Sequence, residues 1–459
     1  MTDPIRVVQS EMEELTQELF QLLRIPSVSA HSERREDTRA AAQWVADHLR
    51  SSGLDATLVE TSGHPVVLGE WRGAGPEAPT LLIYGHYDVQ PAEPLELWTS
   101  PPFDPQIRDG RIYGRGTADD KGQLYLHLKA LEILLRTRGS LPVNVIVLAE
   151  GEEEIGSPHL LPFLQSNRDR LACDAVVISD SQMFAPGQPS LLYSLRGLSY
   201  VEIRLRGARS DLHSGAYGGA VPNPATILSR LLATLHDDQG RITIPGFYDG
   251  VREWDAAARE SIRKLPFDEE AFRQQVGSPR LEGEAGFSTL ERLWTRPTCE
   301  VNGLHSGYTG EGAKTVLPGE AMAKVSFRLV PDQDPLEVEK LLRAHLARHT
   351  PSSVSLDVTS LHSGPPWRGN PDGPFFHAAE RALERTFGKE PVLTGEGGSI
   401  PIVADFEREL NAPAILLGFA LPGANMHAPD EWFPYAHLEL GIATLIHLFE
   451  ELEEENATG

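Results

Sequence analysis

The sequence predicts an α/β protein: helices flank a central, mostly parallel sheet, and a smaller α+β domain is inserted between two parts of that sheet domain. Three observations predict it. Up to about residue 193, short β-branched runs alternate with helical periodicity, the pattern of helices covering a parallel sheet. After Ser194 the strand-like runs alternate apolar and polar residues, as strands with one wet face do. Near Asp372 the amphipathic pattern returns, followed by an apolar run and a closing helix. The expected division is therefore 1–193 and 369–459 for the sheet domain and 194–368 for the insert.

Pro4 to about Leu23 and Ala40 to Leu49 repeat apolar residues at helical spacing and read as surface helices. Strands are expected at Val66 to Glu70, Thr80 to Tyr84, Val143 to Leu148 and Ala175 to Ser179, with a helix from Gln123 to Arg136 between the second and third. Ser157-Pro158 reads as a helix N-cap with proline at the first helical position. In the insert, Leu198 to Leu205 and Glu320 to Val330 alternate as half-exposed strands, and Pro224 to Leu235 reads as a helix. The returning domain is expected to hold a helix at Asp372 to Phe387, a strand at Ala414 to Leu417 and a helix at Leu438 to Leu452.

Bulk composition narrows the functional classes. A chain of 459 residues, 40% apolar and 23% charged, buries a sizeable core and forms more than one domain. Its two cysteines, Cys173 and Cys299, are too few for a disulfide framework and lie far from zinc-finger spacing, so they read as core thiols. The start lacks a basic end followed by an apolar block, and no stretch is long and apolar enough to span a membrane; a soluble cytoplasmic protein with no membrane partner is expected. A net charge of −25 argues against a nucleic-acid partner.

The chemistry-bearing residues gather where the predicted parallel strands end, the edge at which an open sheet binds its ligands. After Leu81 to Tyr84 comes Gly85-His86-Tyr87-Asp88. Side chains two apart on a strand share a face, so the Asp88 carboxylate can orient the His86 imidazole and raise its basicity as a metal donor. Gly114 to Gly122 places Asp119 and Asp120 in a glycine-rich loop before a helix, where one carboxylate could bridge two cations or simply cap the helix. Glu150-Gly151-Glu152-Glu153-Glu154 crowds acids after a buried strand, and such acids repel unless a cation or solvent compensates them. Asp180 ends the next strand and Asn425-Met426-His427-Ala428-Pro429-Asp430 follows the last one. Two histidines and several carboxylates at one edge suit zinc, manganese or cobalt.

This ordered set resembles the zinc-dependent aminoacylase, carboxypeptidase G and dipeptidase metallopeptidase family across nearly the whole chain. The insert's Ser210-Asp211-Leu212-His213-Ser214-Gly215, Gly312 to Pro318 and Phe327-Arg328-Leu329-Val330-Pro331, with Glu396 to Pro401 after it, is similar to the cytosolic non-specific dipeptidase branch. The resemblance implies a di-metal peptidase domain with an inserted lid and dimerisation domain. It implies two divalent metal ions per subunit, zinc or manganese with cobalt as a further option. Asp119 would bridge them, His86 and Asp180 would complete one site, and Glu154 and His427 the other. Asp88 would orient His86, and Glu153 would be the general base. His213, donated across a homodimer, would stabilise the oxyanion; Arg328 would clamp the substrate carboxylate, with Thr315, Ser399 and His362 as further contacts. Asp180, where carboxypeptidases and deacylases of the family generally carry Glu, favours a dipeptidase or aminopeptidase. Glu152 is an extra acid in its loop, either raising the pKa of Glu153 or pointing to solvent. The expected activity is hydrolysis of a dipeptide or similarly small peptide. The alternatives are deacylation of N-acyl or N-carbamoyl amino acids by the same metal chemistry, and a non-catalytic metal-binding protein.

Overall fold

The computed structural model describes residues 3–398 and 400–458. The chain divides into two compact units: one spans Met1–Tyr193, Gly369–Thr394 and Ile402–Gly459, the other Ser194–Arg368 and Gly395–Pro401.

The first unit is built on a mixed sheet. Seven of its strands run in the order Asp55–Val59, Val66–Trp71, Asn144–Glu150, Thr80–His86, Ala175–Ile178, Ala414–Leu417 and Ser190–Leu195. The middle four are mutually parallel, while the first two and the last run antiparallel to their neighbours. Thr80–His86 and Asn144–Glu150 are buried at every residue, which explains why they read as continuous apolar runs rather than alternating ones. Lys121–Arg138 follows the Asp119 loop and ends at Gly139, whose φ of 77° suits only a left-handed cap. That helix is buried on nearly all sides, so its apolar residues show little periodicity.

Two local expectations are corrected. The N-terminal helix is interrupted, as Pro4–Ser10 and Met12–Leu23; the Ser10 hydroxyl bonds back to the Val7 carbonyl at 3.1 Å, an alternative to continued helix. Ser157 does not cap the next helix, which starts at Leu160 after His159. Its hydroxyl instead donates to the buried Glu150 carboxylate at 2.7 Å, beside the Tyr84 hydroxyl at 2.6 Å. A buried anion takes the donor that the helix terminus would otherwise use.

The second unit carries a four-stranded antiparallel sheet in the order Thr298–Ser306, Glu320–Leu329, Gly197–Arg206 and Ser355–Gly364. Its two central strands alternate buried and half-buried residues along almost their whole length. One face therefore packs Val201, Ile203, Leu205, Val325 and Phe327 against Leu228 and Leu231 of helix Pro224–Ala233 and Leu342 and Leu346 of helix Pro335–His349. Each such buried side chain contributes about 1.5–3 kcal/mol. Both helices begin with proline behind a side-chain cap, Asn223 and Asp334.

Candidate metal centre

Because the central strands are parallel, their carboxyl ends meet at one edge of the first unit. His86 is the last residue of its strand and Asp180 follows Ile178 by two. Asp119 reaches in from the glycine-rich loop. Glu154 lies in the 3₁₀ turn Glu153–Ile155 that follows strand Asn144–Glu150, and His427 comes from a loop in which Asn425, His427 and Asp430 all have positive φ.

These residues form two triads that share one member. His86 Nε2 lies 3.1 Å from Asp119 Oδ1 and 3.9 Å from Asp180 Oδ2. His427 Nε2 lies 2.8 Å from Asp119 Oδ2 and 3.2 Å from Glu154 Oε2. Each oxygen of Asp119 thus faces a different histidine, and both triads have donor atoms close enough to hold one cation.

The donor chemistry fits divalent cations. His86 Nε2 is buried and makes no well-formed hydrogen bond even though two carboxylates approach it. Burial pushes Asp180 well above the usual carboxylate range, and Asp119 and Asp120 push it further. Glu153 is raised to about 8, by burial first and then, against His86, by Asp119, Glu154 and Asp88. His427 is raised to about 10 by its contacts with Asp119 and Glu154. Carboxylates driven toward protonation and an imidazole held charged mark a cluster with more negative charge than its own side chains neutralise. Two cations would relieve it, and a mixed nitrogen and oxygen set suits zinc, manganese or cobalt.

Around the triads, Asp88 is buried completely and serves several donors. Its carboxylate lies 3.3 Å from His86 Nδ1, accepts the Ser29 hydroxyl at 2.6 Å, and accepts the backbone N–H groups of Glu153 at 3.3 Å and Glu154 at 3.1 Å. One residue therefore orients a histidine and anchors the turn that bears the acids. Glu152 does not point to solvent. It is buried, pairs with His159 Nδ1 at 2.8 Å and accepts the His64 N–H at 3.2 Å.

Three residues that sequence reasoning missed also support the cluster: Ser29, Gln90 and Glu431. Gln90 donates from its side chain to Glu154 Oε2 at 2.8 Å and from its backbone to Oε1 at 3.0 Å. Glu431 directly follows the motif that contains His427 and Gln90 lies two residues past Asp88, a signal of position alone. Ser29 lies far from both and carried none.

The expected substrate contacts fall in the second unit, apart from Ser399, which lies outside the described residues. His213 Nδ1 accepts the N–H groups of Gly215 and Ala216 at 3.1 and 3.2 Å, which leaves the ring proton on Nε2, facing outward as a donor. Thr315 is its neighbour: the Thr315 carbonyl accepts Ser214 N–H at 3.0 Å, and His213 pairs with Val316. Arg328 lines a cavity of about 630 Å³ together with Arg196, Glu300 and Ser326. Burial, then the charge of Arg328, draws Arg196 down to about 10. His362 is exposed on strand Ser355–Gly364, across Tyr200 from Ser326. The structure thus gathers His213 with Thr315 at the Glu320 end of strand Glu320–Leu329, and Arg328 with His362 toward the other. Eight steps of about 3.3 Å separate Glu320 from Arg328, about 26 Å of strand.

Comparison with known proteins bears on this geometry. Residues 82–451 match the model of peptidase family M20/M25/M40. The chain is 32% identical to Cys-Gly metallodipeptidase dug1 of Schizosaccharomyces pombe, over 96% of each chain. Among solved structures, human carnosine dipeptidase 1 superposes with a TM-score of 0.84 at 28% identity, over 98% of each chain. The M20 family metallo-carboxypeptidase Sso-CP2 of Sulfolobus solfataricus gives 0.86 at 35% identity, covering 96% of this chain and 99% of that one.

Proposed function

Starting from the fact that this chain belongs to peptidase family M20/M25/M40, we propose that it is a metal-dependent hydrolase of dipeptides or similarly small peptides. The observation that carries the proposal is the division of Asp119 between two triads, each with one histidine and a second carboxylate. His86, Asp119 and Asp180 would hold one divalent ion, and Asp119, Glu154 and His427 the other, zinc or manganese with cobalt as an option. The chemistry supplied there, when the centre is loaded, is Lewis-acid polarisation of the amide carbonyl and acidification of a water.

The protein's own groups do the rest. Glu153 takes the proton of the attacking water and returns it to the departing amine; its pKa, raised to about 8 by burial and the neighbouring carboxylates, reflects surroundings in which a carboxyl group is able to carry a proton. Asp88 holds the His86 ring and the Glu153–Glu154 backbone in register. Arg328 clamps the substrate carboxylate, and Ser399 and His362 add contacts. His213 presents an Nε2 donor suited to a developing oxyanion, with Thr315 beside it. His213 and Thr315 gather near the Glu320 end of a strand on which Arg328 lies about 26 Å from Glu320, and this supports a homodimer, since an extended dipeptide is only about 7 Å long. In that reading His213 and Thr315 serve the active site of the second copy. The expected cytoplasmic location is part of the same proposal, with which two unpaired cysteines are compatible.

The likeness to a protein named a metallo-carboxypeptidase gives the discriminating experiment a third arm. Unblocked dipeptides, N-acetyl and N-carbamoyl amino acids, and tetrapeptides are offered to protein loaded with each metal. Hydrolysis confined to unblocked dipeptides supports the proposal. Preference for acylated amino acids would replace it with a deacylase, and stepwise C-terminal trimming of tetrapeptides with a carboxypeptidase.

A further inference from the structure

Glu431 is fully buried in the first unit, four residues beyond His427. Its carboxylate is wrapped by the loop that carries Asp119. Oε2 accepts Arg115 Nη1 at 2.7 Å and the Gly116 N–H at 2.9 Å. Oε1 accepts the Ala118 N–H at 2.8 Å and the Asp119 N–H at 3.1 Å. The Glu431 carbonyl takes the Gly114 N–H at 3.0 Å as well. Backbone N–H groups converging on one anion form a nest that fixes the path of the chain. The fit is tight: a Cβ on Gly116, whose φ is 86°, would meet Val89 at 2.8 Å. The Arg115 side chain is almost wholly buried, offsets the charge, and donates onward to the Pro91 carbonyl at 3.1 Å.

A buried carboxylate beside an already acidic cluster is costly, and a neutral acceptor could hold a loop. What this anion adds is a link between two loops. Asp119 is pinned through its backbone to a side chain that belongs to the loop of His427. That second loop is itself braced by Asn425, whose side chain donates to the Asp430 carbonyl at 3.2 Å, and by Asp430, which accepts the Thr99 N–H at 2.9 Å and hydroxyl at 2.6 Å.

We propose that Glu431 is a positioning residue that sets the spacing between Asp119 and His427, so that the triad of Asp119, Glu154 and His427 is assembled before a cation arrives. This rests on reading the triads as cation sites. In Glu431→Gln the amide nitrogen turns N–H groups toward at least one of the converging N–H donors, so one side of the nest opens. Arg115→Met removes the counter-charge but leaves the Gly116, Ala118 and Asp119 N–H groups on the carboxylate.

Calorimetric titration of Mn²⁺ or Zn²⁺ into metal-free protein tests this. Glu431→Gln is expected to bind cations about 10- to 100-fold more weakly while its circular dichroism remains that of wild type. Arg115→Met is expected to lower the melting temperature yet keep wild-type cation affinity. A folded Glu431→Gln protein with unchanged affinity, or equal losses of affinity in both variants, overturns the proposal. Amide hydrogen exchange in metal-free wild type covers the case in which Glu431→Gln fails to fold: peptides spanning 114–119 are expected to be protected without metal, and free exchange there overturns the proposal equally. Wild type that takes up no cation would sink the metal-centre reading, and this one with it. Uptake by wild type with no effect of Glu431→Gln would sink this one alone.

Discussion

Replacing Asp88 by Asn probes how far the centre depends on a residue that the metal would never touch. Asp88 is completely buried, and the two oxygens of its carboxylate divide the work. One faces the Ser29 hydroxyl at 2.6 Å and the Glu154 N–H at 3.1 Å; the other faces the Glu153 N–H at 3.3 Å and His86 Nδ1 at 3.3 Å. Asn has one acceptor atom and one donor group. With its NH₂ toward Ser29, the hydroxyl can rotate and accept, but the Glu154 N–H is left facing a donor. With its NH₂ toward His86, the Glu153 N–H loses its acceptor, and the ring N–H keeps only the Asp88 backbone carbonyl at 3.1 Å. At least one charge-assisted bond is lost either way, about 1.5–3 kcal/mol, which corresponds to roughly 10- to 150-fold in an equilibrium constant. His86 also loses the negative partner that makes its other nitrogen a better metal donor. Calorimetric titration of the metal-free variant should therefore show cation affinity weakened by about 10- to 100-fold, with kcat/KM at subsaturating metal reduced in step. Affinity within twofold of wild type, in a variant that folds normally, would show that Asp88 does not hold the centre in place.

Four further outcomes are expected. Glu153→Gln should cut kcat by about 10²- to 10⁴-fold while metal content by elemental analysis stays at the wild-type level; an unchanged kcat would remove Glu153 as the base. Arg328→Met should raise KM for free dipeptides by roughly 10- to 100-fold, the worth of a charge-assisted pair, and leave C-amidated dipeptides nearly unaffected; equal effects on both would show that Arg328 does not read the carboxylate. His213→Ala and Glu153→Gln should each be almost inactive, yet regain activity when their subunits are unfolded and refolded together, because one site of the mixed dimer has both groups intact; no recovery would contradict donation across subunits. Glu18 is held at about 2 despite burial, because His48 and Lys129 outweigh it. Its carboxylate therefore stabilises the fold above about pH 4.5, and that contribution is lost as pH falls toward 2. Glu18→Gln should cost about 1–2 kcal/mol at pH 7 after solvent screening, with the gap to wild type closing at pH 3 in urea melts; a gap independent of pH would refute the assignment.

The fold was legible where burial is one-sided or complete. Gly197–Arg206 and Glu320–Leu329 alternate because one face meets a core and the other does not. Thr80–His86 reads as an apolar run because both faces are covered. The order of strands was not legible, since placing Asn144–Glu150 between Val66–Trp71 and Thr80–His86 is a decision of the tertiary fold. Ser157 misled because a cap and a hydrogen-bond donor to a buried acid look alike in sequence. The short pairing of Trp432–Pro434 with Arg111–Tyr113 gave no periodic signal at three residues each, yet it brings Glu431 to the Asp119 loop. The residue types of a metal centre could be read from strand-end motifs. Apart from Asp88, the residues that hold those side chains in place could not, because Gln90, Ser29 and Glu431 bond to backbone and carboxylate groups whose proximity only the folded chain creates.

If two cations sharing Asp119 drive amide hydrolysis, metal loading and activity rise together in a titration. Metal-free protein is titrated with Mn²⁺ or Zn²⁺ while bound metal and hydrolysis of an unblocked dipeptide are measured on the same samples. Two ions bound per chain, negligible hydrolysis without them and full activity only when the second is in place is the result expected. Hydrolysis that survives complete removal of metal, or a single ion per chain at full activity, would contradict it.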